Sequence, residues 1–270
     1  MATAYFNDTI TGDGDWNNAV NWWSNVGATV PFGGVPASTD DVITQTAVQT
    51  LTSGQTCKTL SLGAAYADAS VSTLTVTGNV VMTAAGSITG GTISGGAAWT
   101  MNPGSSISGG TLSCAGTFTC NASSLSGADL TADTFVLNAA ANINPNSITA
   151  VCQFNAGGFA GTTITGNCTF NGVSSLAAGT VTGNATFNGA SSLGAGTVTG
   201  NATFNGTSSN AGGTVTGLGT FNDQSYNQGT VGTLALVAEG LSGIGAAPSF
   251  TFTRTTIQHG INGSAILGMI

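Results

Sequence analysis

A short run of oxygen-bearing side chains near the amino terminus has the spacing of the start of a calcium-binding loop. Asp13, Asp15 and Asn17 follow the pattern D-x-D-x-N, which places hard oxygen ligands at alternate positions. The rest of the loop pattern is absent, because no glycine follows at the sixth position and Ser24 stands where a bidentate glutamate belongs. We therefore interpret the run as a solvated turn and predict no cofactor, with Ca²⁺ at these three residues as the alternative.

Few residues could take part in acid-base catalysis. Lys58 and Arg254 are the only permanent cations, and His259 is the single histidine. Glycoside hydrolysis needs two carboxylates at a set separation. Asp129 and Asp133 lie close in sequence, but Asp129 belongs to a surface ladder described below. We predict no enzymatic activity, with a polysaccharide-degrading enzyme of the tailspike type as the second alternative to the function given below.

The charge balance argues against polyanionic partners. The chain of 270 residues carries 2 basic and 10 acidic residues, a net charge of −8. Binding to a phosphate backbone or to an anionic membrane surface requires several cations, and no apolar run reaches the ~18 residues of a membrane span. We predict no nucleic-acid partner and no membrane insertion.

Five cysteines cannot all pair with one another. Cys152 and Cys168 each stand two residues before a phenylalanine, where later repeats have alanine, so we interpret them as small buried side chains. A disulfide between them in neighbouring coils is the alternative. Cys114 and Cys120 are close in sequence and Cys57 stands alone. No Cys-x-x-Cys or His-Cys cluster indicates a metal site.

The chain is organised around an internal repeat of 17 residues. The phrase G-T-V-T-G-N-A-T-F-N-G-x-S-S-L recurs between Gly161 and Thr233, and a short fixed period indicates one structural unit stacked on its neighbours. Apolar and polar residues alternate within each unit, which is the pattern of a strand. Two columns keep the same step, and they are Phe170, Phe187, Phe204 and Phe221, and Ile164, Val181, Val198 and Val215.

These patterns predict an all-β protein, a parallel β-solenoid of roughly 9–11 short coils. Glycine and asparagine between the alternating segments mark the turns, and both two-sided and triangular coils fit the repeat. In the less regular early coils, we place Met82, Met101, Phe118 and Phe135 in the column that later holds phenylalanine.

The outward positions on either side of the Ile/Val column form a ladder of hydroxyls. Its members are Thr92/Ser94, Thr111/Ser113, Asp129/Thr131, Ser147/Thr149, Thr163/Thr165, Thr180/Thr182, Thr197/Thr199 and Thr214/Thr216. These T-x-T rungs resemble the ice-binding faces of insect-type solenoid antifreeze proteins, and the resemblance implies an ice-binding function. The simpler interpretation is scaffolding, because threonine favours strands in any case.

Asparagines form two further columns at the turns. One contains Asn167, Asn184 and Asn201, and the other contains Asn171, Asn188, Asn205 and Asn222. Stacked amides can donate and accept along such a ladder, which predicts a structural role.

The first 50 residues differ from the repeats and contain Trp16, Trp22 and Trp23. Bulky aromatics there predict a cap that covers the first coil. The runs G-D-W-N-N-A-V-N-W-W and V-P-A-S-T-D-D-V-I are similar to the entry segment of bacterial β-helix surface proteins such as autotransporter adhesins, which implies a parallel β-helix downstream. We predict a cap at 1–50, repeats at 51–235 and a C-terminal cap or oligomer-docking strands at 236–270.

The function we predict is structural and adhesive. The repeat phrases resemble those of low-charge fibre and surface proteins of bacteria and their viruses, and the amino terminus has no basic or apolar region of a secretory signal. We expect a virion fibre or decoration protein, or a cell-surface adhesin, located on a virion or outside the cell. Its expected partners are copies of itself, for instance in a trimer, other virion or surface proteins, and host glycan.

Overall fold

The computed structural model describes residues 2–68, 72–121, 124–138, 140 and 142–236. The chain is all-β and forms a parallel β-solenoid of about 11 turns, which confirms the fold predicted from the repeat. It divides into two compact units, residues 1–151 and 152–270. Glu239, Arg254, His259 and the predicted C-terminal segment 236–270, beyond its first residue, lie outside the described residues.

The strands of the first unit are short and are joined by turns, with one 3₁₀ turn at Ala19–Asn21. They are β1 Thr3–Phe6, β2 Trp22–Trp23, β3 Asp41–Thr44, β4 Gln55–Cys57, β5 Thr59–Leu62, β6 Ala65–Tyr66, β7 Thr73–Val76, β8 Val80–Met82, β9 Ser87–Ile88, β10 Thr92–Gly95, β11 Ala98–Met101, β12 Ser106–Ile107, β13 Thr111–Ser113, β14 Thr117–Cys120, β15 Ser124–Leu125, β16 Asp129–Leu137 and β17 Asn142–Ile143.

The strand β18, Ser147–Phe154, leads into the second unit. The strands that follow are β19 Gly158–Phe159, β20 Thr163–Thr165, β21 Cys168–Phe170, β22 Ser175–Leu176, β23 Thr180–Val181, β24 Ala185–Phe187, β25 Ser192–Leu193, β26 Thr197–Val198, β27 Ala202–Phe204, β28 Ser209–Asn210, β29 Thr214–Phe221, β30 Tyr226–Asn227 and β31 Thr230–Leu236.

Each regular coil contributes one strand to each of three parallel ladders, so the coils are three-sided. In the second unit, β20, β23 and β26 pair in order, as do β21, β24 and β27, and also β22, β25 and β28. Every strand is too short to bury its inward side chains alone. Stacking gives each strand a partner above and below, which is what stabilises a repeat of this kind.

Identical residues stack in the core of the second unit. The rings of Phe154, Phe170, Phe187, Phe204 and Phe221 follow one another with centroids 4.5–4.8 Å apart and planes within 7° of parallel. The predicted column of Ile164, Val181, Val198 and Val215 is fully buried. Both columns confirm the inward assignment made from the period-two pattern.

In the first unit the predicted column of Met82, Met101, Phe118 and Phe135 is wrong at the step from Met101 to Phe118. The true partner of Phe118 lies two residues before Met101. Met101 pairs with Cys120, whereas Phe118 pairs with Trp99. Each strand here has two inward residues, two positions apart, and both keep the same face when the pairing shifts by two. The apolar pattern alone therefore could not choose between Trp99 and Met101.

The column that begins with leucine in the second unit ends in asparagine. Leu176 and Leu193 are followed by Asn210 and Asn227, and both asparagines are at least 96% buried. The Nδ2 of Asn210 donates to the Oδ1 of Asn227 at 2.8 Å, and that oxygen also accepts from the backbone N–H of Gly229 at 3.1 Å. A buried amide without hydrogen bonds would be costly. These bonds offset part of that cost, whereas the Oδ1 of Asn210 and the Nδ2 of Asn227 have no partner among the described residues.

Aromatic residues of the amino-terminal segment are buried at the first edge of the sheet. Strand β1 pairs in parallel with β3 on one side and antiparallel with β2 on the other. Phe6, Trp16 and Trp22 are fully buried, and the two indole rings meet edge to face with centroids 4.6 Å apart. Because β2 covers β1 as an antiparallel partner, this edge does not offer a parallel strand on which another coil could pair.

Candidate functional site: the threonine and asparagine face

The second unit presents several polar columns side by side, which we call the Thr-Asn face. The first column contains the first threonine of each predicted rung. Each residue in it is the direct Cα partner of the next, and the residues are Thr163, Thr180, Thr197 and Thr214. Thr230 continues this column and was not predicted. Within the part of the chain that is described, these hydroxyls donate no hydrogen bond to protein, and Thr163, Thr180, Thr197 and Thr214 are half-buried.

The second half of the ladder is chemically different. Thr165, Thr182, Thr199 and Thr216 are exposed, but Thr182 and Thr199 lie just past the ends of their strands. The hydroxyl of Thr199 donates to the carbonyl of Thr182 at 2.8 Å, and that of Thr216 donates to the carbonyl of Thr199 at 2.6 Å. These two hydroxyls therefore use their proton within the protein and present only a lone pair to solvent.

A third threonine column lies on the neighbouring ladder. Thr169, Thr186, Thr203 and Thr220 are consecutive register partners and are half-buried. The repeat phrase N-A-T-F-N contains the signal for this column, since its threonine alternates with inward alanine and phenylalanine. We did not predict it as part of the candidate site because it is not flanked by a second threonine.

Asparagines on one side of that column form a continuous amide ladder. The Nδ2 groups of Asn171, Asn188, Asn205 and Asn222 each donate to the Oδ1 of the asparagine one coil earlier, at 2.7–3.1 Å, starting from Asn155. This confirms the predicted bonding along the column. The ladder uses one N–H and one lone pair of Asn171, Asn188 and Asn205, and an amide has a second of each.

The other asparagine column stabilises the corner between two ladders. The Oδ1 atoms of Asn167, Asn184 and Asn201 each accept the backbone N–H of the equivalent residue in the next coil, at 2.9 Å. Because that oxygen replaces a strand partner for a backbone N–H, a repeated asparagine at this corner has a structural reason.

The Thr-Asn face carries almost no charge. No charged residue occurs between Asp133 and Asp223 in the sequence. Asp223 takes the turn position that Gly172, Gly189 and Gly206 occupy in earlier coils, and it keeps their left-handed backbone with φ of 56°. Its carboxylate accepts the backbone N–H of Gly206 at 3.1 Å, so it serves the turn as well as the surface.

The predicted calcium ligands lie in a turn where protein donors contact their oxygens. Asp13 accepts hydrogen bonds from the backbone N–H of Asp15 and from the side chains of Thr11, Asn18 and Asn21, at 2.8–3.0 Å. These bonds, chiefly the one from the backbone N–H of Asp15, hold the pKa of Asp13 well below its usual value.

The remaining two members of the run are engaged in the same way. Asp15 accepts the backbone N–H of Asn17 at 2.9 Å, and the Oδ1 of Asn17 accepts that of Thr52 at 2.9 Å. In the described parts of the chain, no three His, Cys, Asp or Glu side chains come together as metal ligands. Calcium at this turn stays a prediction.

The candidate catalytic residues are held in local contacts. Asp129 accepts the hydroxyl of Ser147 at 2.6 Å and pairs in register with Thr111, which confirms its predicted place in the ladder. The Nζ of Lys58 lies 3.8 Å from the Oδ1 of Asp41. Arg254 and His259 fall outside the described residues.

Comparison with protein-family models, with curated proteins and with solved structures gave no match. Within the described residues, no helix has the length and apolar character needed to span a membrane.

Proposed function

We propose that this chain is a non-catalytic structural and adhesive solenoid on the exterior of a virion or cell. The observation that carries the proposal is that the same residues repeat in register in the second unit, both in its core and on its surface. Phenylalanine rings stack in the core while threonine hydroxyls and asparagine amides repeat on the surface. Such regularity favours a uniform, rigid body over a single shaped site.

Rigidity follows from the way the coils are joined. Each coil is bonded to its neighbours through three ladders, and the amide ladder adds side-chain bonds between the same coils. Local opening of one coil would break contacts with both neighbours, so proteases should find few openings. This suits a spacer that works outside the cell.

Adhesion would use the Thr-Asn face. Hydroxyls and amides recognise the hydroxyl groups of sugars through paired donors and acceptors, and a face with almost no charge would favour neutral host glycans over acidic ones. Because no ion pairs contribute, binding should be weak and nearly independent of salt. The resemblance of the amino-terminal segment to surface β-helix proteins supports the same location.

Assembly tests the structural part of the proposal. We expect a trimer or higher homo-oligomer in sedimentation, together with resistance to proteases at 37 °C. A clean monomer that attaches to no particle or cell surface would contradict this function. Depolymerisation of a host polysaccharide by the purified chain would instead support the tailspike-type enzyme.

A glycan array tests the adhesive part. The parent should retain neutral glycans at both low and high salt, and the double variant Thr186→Tyr/Thr203→Tyr should lose them. Val26→Tyr is the control, because Val26 is 64% exposed and belongs to the amino-terminal segment, outside the Thr-Asn face. Retention that disappears with added salt would argue for an electrostatic mechanism and against the one proposed.

Ice binding is the second candidate, favoured by the column from Thr163 to Thr230. Its threonines repeat at the spacing of the coils, ~4.8 Å, and their hydroxyls can face water. The predicted double rungs are less uniform, because Thr199 and Thr216 donate to backbone carbonyls. Thermal hysteresis that is lost in Thr180→Tyr/Thr197→Tyr and kept in Val26→Tyr would support this candidate, and unaffected ice growth by the parent would exclude it.

A further inference from the structure

Two cysteines lie directly against one another at the start of the second unit. Cys152 on β18 and Cys168 on β21 are register partners in a parallel ladder, followed by the partners Phe154 and Phe170. Both point into the core and are 1% and 3% exposed. All five cysteines of the chain are thiols in the structure.

This pair is specific among the cysteines. Cys57 is the partner of Val76, and Cys120 is the partner of Met101 and Leu137. Cys114 lies outside the strands, between β13 and β14. Only Cys152 and Cys168 therefore share a rung of a ladder.

The geometry of the ladder places the two residues within reach of a disulfide. Neighbouring strands lie ~4.8 Å apart, inside the range of ~4.4–6.8 Å between the Cα atoms of bonded cysteines. In-register side chains on parallel strands leave in the same direction, so the Cβ atoms are also separated by about the strand spacing. That is longer than the mean of ~3.8 Å in disulfides, so the bond would be strained and easily reduced.

The column has room for this adjustment. The two positions that continue it are Ala185 and Ala202, so no bulky side chain of the next coils keeps the sulfurs apart. The Phe column beside it keeps its own stacking, with Phe154 and Phe170 4.7 Å apart. The two strands can therefore move slightly closer at the cysteines while the aromatic column stays in contact.

We infer that Cys152 and Cys168 form a redox-sensitive pair, which a disulfide oxidant of the glutathione class converts reversibly into a disulfide between adjacent coils. One cysteine thiolate attacks a sulfur of oxidised glutathione, breaks its S–S bond and releases one reduced glutathione, with the thiol proton passing to the leaving thiolate. The second cysteine thiolate then attacks the protein sulfur of the mixed disulfide and releases the second reduced glutathione. The protein loses two electrons and two protons, and the oxidant gains them as two thiols.

Burial makes the reaction slow and dependent on opening of the coil. The hydrogen bond with Cys152, together with burial, raises the pKa of the Cys168 thiol, which keeps it protonated in the closed structure. Exchange with a solvent disulfide therefore requires transient exposure of β18 and β21. Once formed, the bond closes a short loop and restrains the same opening.

The test is equilibration of the full chain with reduced and oxidised glutathione, followed by alkylation of the remaining thiols and mass spectrometry. We expect two of the five thiols to be lost as one intramolecular disulfide, and dithiothreitol to restore them. Chymotryptic cleavage after Phe154 and Phe159 separates the two cysteines and identifies the linked peptides. Cys168→Ala should abolish the disulfide without unfolding the chain, because alanine occupies the same column at residues 185 and 202.

The control is Cys57→Ala, which should form the same disulfide as the parent. The same redox mixture applied in concentrated urea shows that it can oxidise this pair when the chain is open. If the pair oxidises in urea but both thiols remain alkylatable in the native protein after equilibration, the inference is wrong. A disulfide between other cysteines or between two chains would also overturn it.

Discussion

Truncation of Phe187 should loosen the coils on both sides of it. Phe187 is fully buried and stacks on Phe170 and on Phe204, each with a centroid separation of 4.8 Å and planes 5° apart. Replacing a buried phenylalanine by alanine lowers the free energy of unfolding by about 3–5 kcal/mol, and part of this loss comes from the cavity that remains. Each ring contact contributes about 0.5–1.5 kcal/mol beyond burial, so Phe187→Leu, which keeps most of the apolar volume, should cost about 1–3 kcal/mol.

Amide hydrogen exchange measures this loss locally, which is needed because repeat arrays do not always unfold in one step. A loss of about 3–5 kcal/mol corresponds to exchange that is about 10²- to 10⁴-fold faster. We expect this increase in β21, β24 and β27, with a smaller one for Phe187→Leu. Val173 is 77% exposed, so Val173→Ala should change the free energy of opening at the same amides by less than about 0.5 kcal/mol.

The reasoning fails if Phe187→Ala accelerates these amides by less than about fivefold, which corresponds to about 1 kcal/mol. Such a result would mean that the aromatic column contributes little to coupling between coils. An increase confined to β24 alone would also contradict the expectation, because the rings above and below would then be independent of Phe187.

Three further predictions concern single polar residues. Asn188→Ala removes two amide–amide bonds, of 3.0 and 2.8 Å, and should lower the local free energy of opening by about 1–2 kcal/mol in the same exchange measurement. Asp13→Asn should lower the urea midpoint followed by tryptophan fluorescence at pH 7. Because hydrogen bonds depress the pKa of Asp13 below 3.8, its stabilisation is present above that pH and the difference from the parent should shrink as the pH falls below it; a constant difference would contradict this cause. Asp223→Val places a β-branched residue at φ of 56° and should cost about 1–3 kcal/mol, whereas Asp223→Gly should stay within about 1 kcal/mol of the parent.

The regular repeat made much of the second unit predictable from sequence. A strict step of 17 residues fixes which positions are partners, and alternation around Val181 and Phe187 fixes which side chains point inward. The same logic failed at Met101, because early coils of different length offered two inward candidates on one strand. Only the backbone hydrogen bonds of the folded chain distinguish them.

Sequence could not predict the buried asparagines or the unequal threonine columns. Asn210 stands where two earlier repeats have leucine, and a single change from apolar to polar is equally consistent with a turn that has shifted outward. Its burial becomes evident only in the folded chain, where Asn210 is fully buried and bonds to Asn227. Likewise, Thr199 shares the repeat phrase of Thr182 and Thr197, but the direction of its hydroxyl depends on the bend that follows its strand.

The antiparallel closure of β1 by β2 also bears on the order of synthesis. It completes the first edge of the sheet from residues that leave the ribosome before the coils do, so a finished template awaits each coil that follows. At about 5–20 residues per second, a 17-residue coil emerges in roughly 1–3 s, whereas strand pairing of this size takes microseconds. Each coil can therefore settle on the one before it during translation, and vectorial growth from the amino terminus removes the long search that a parallel sheet otherwise requires.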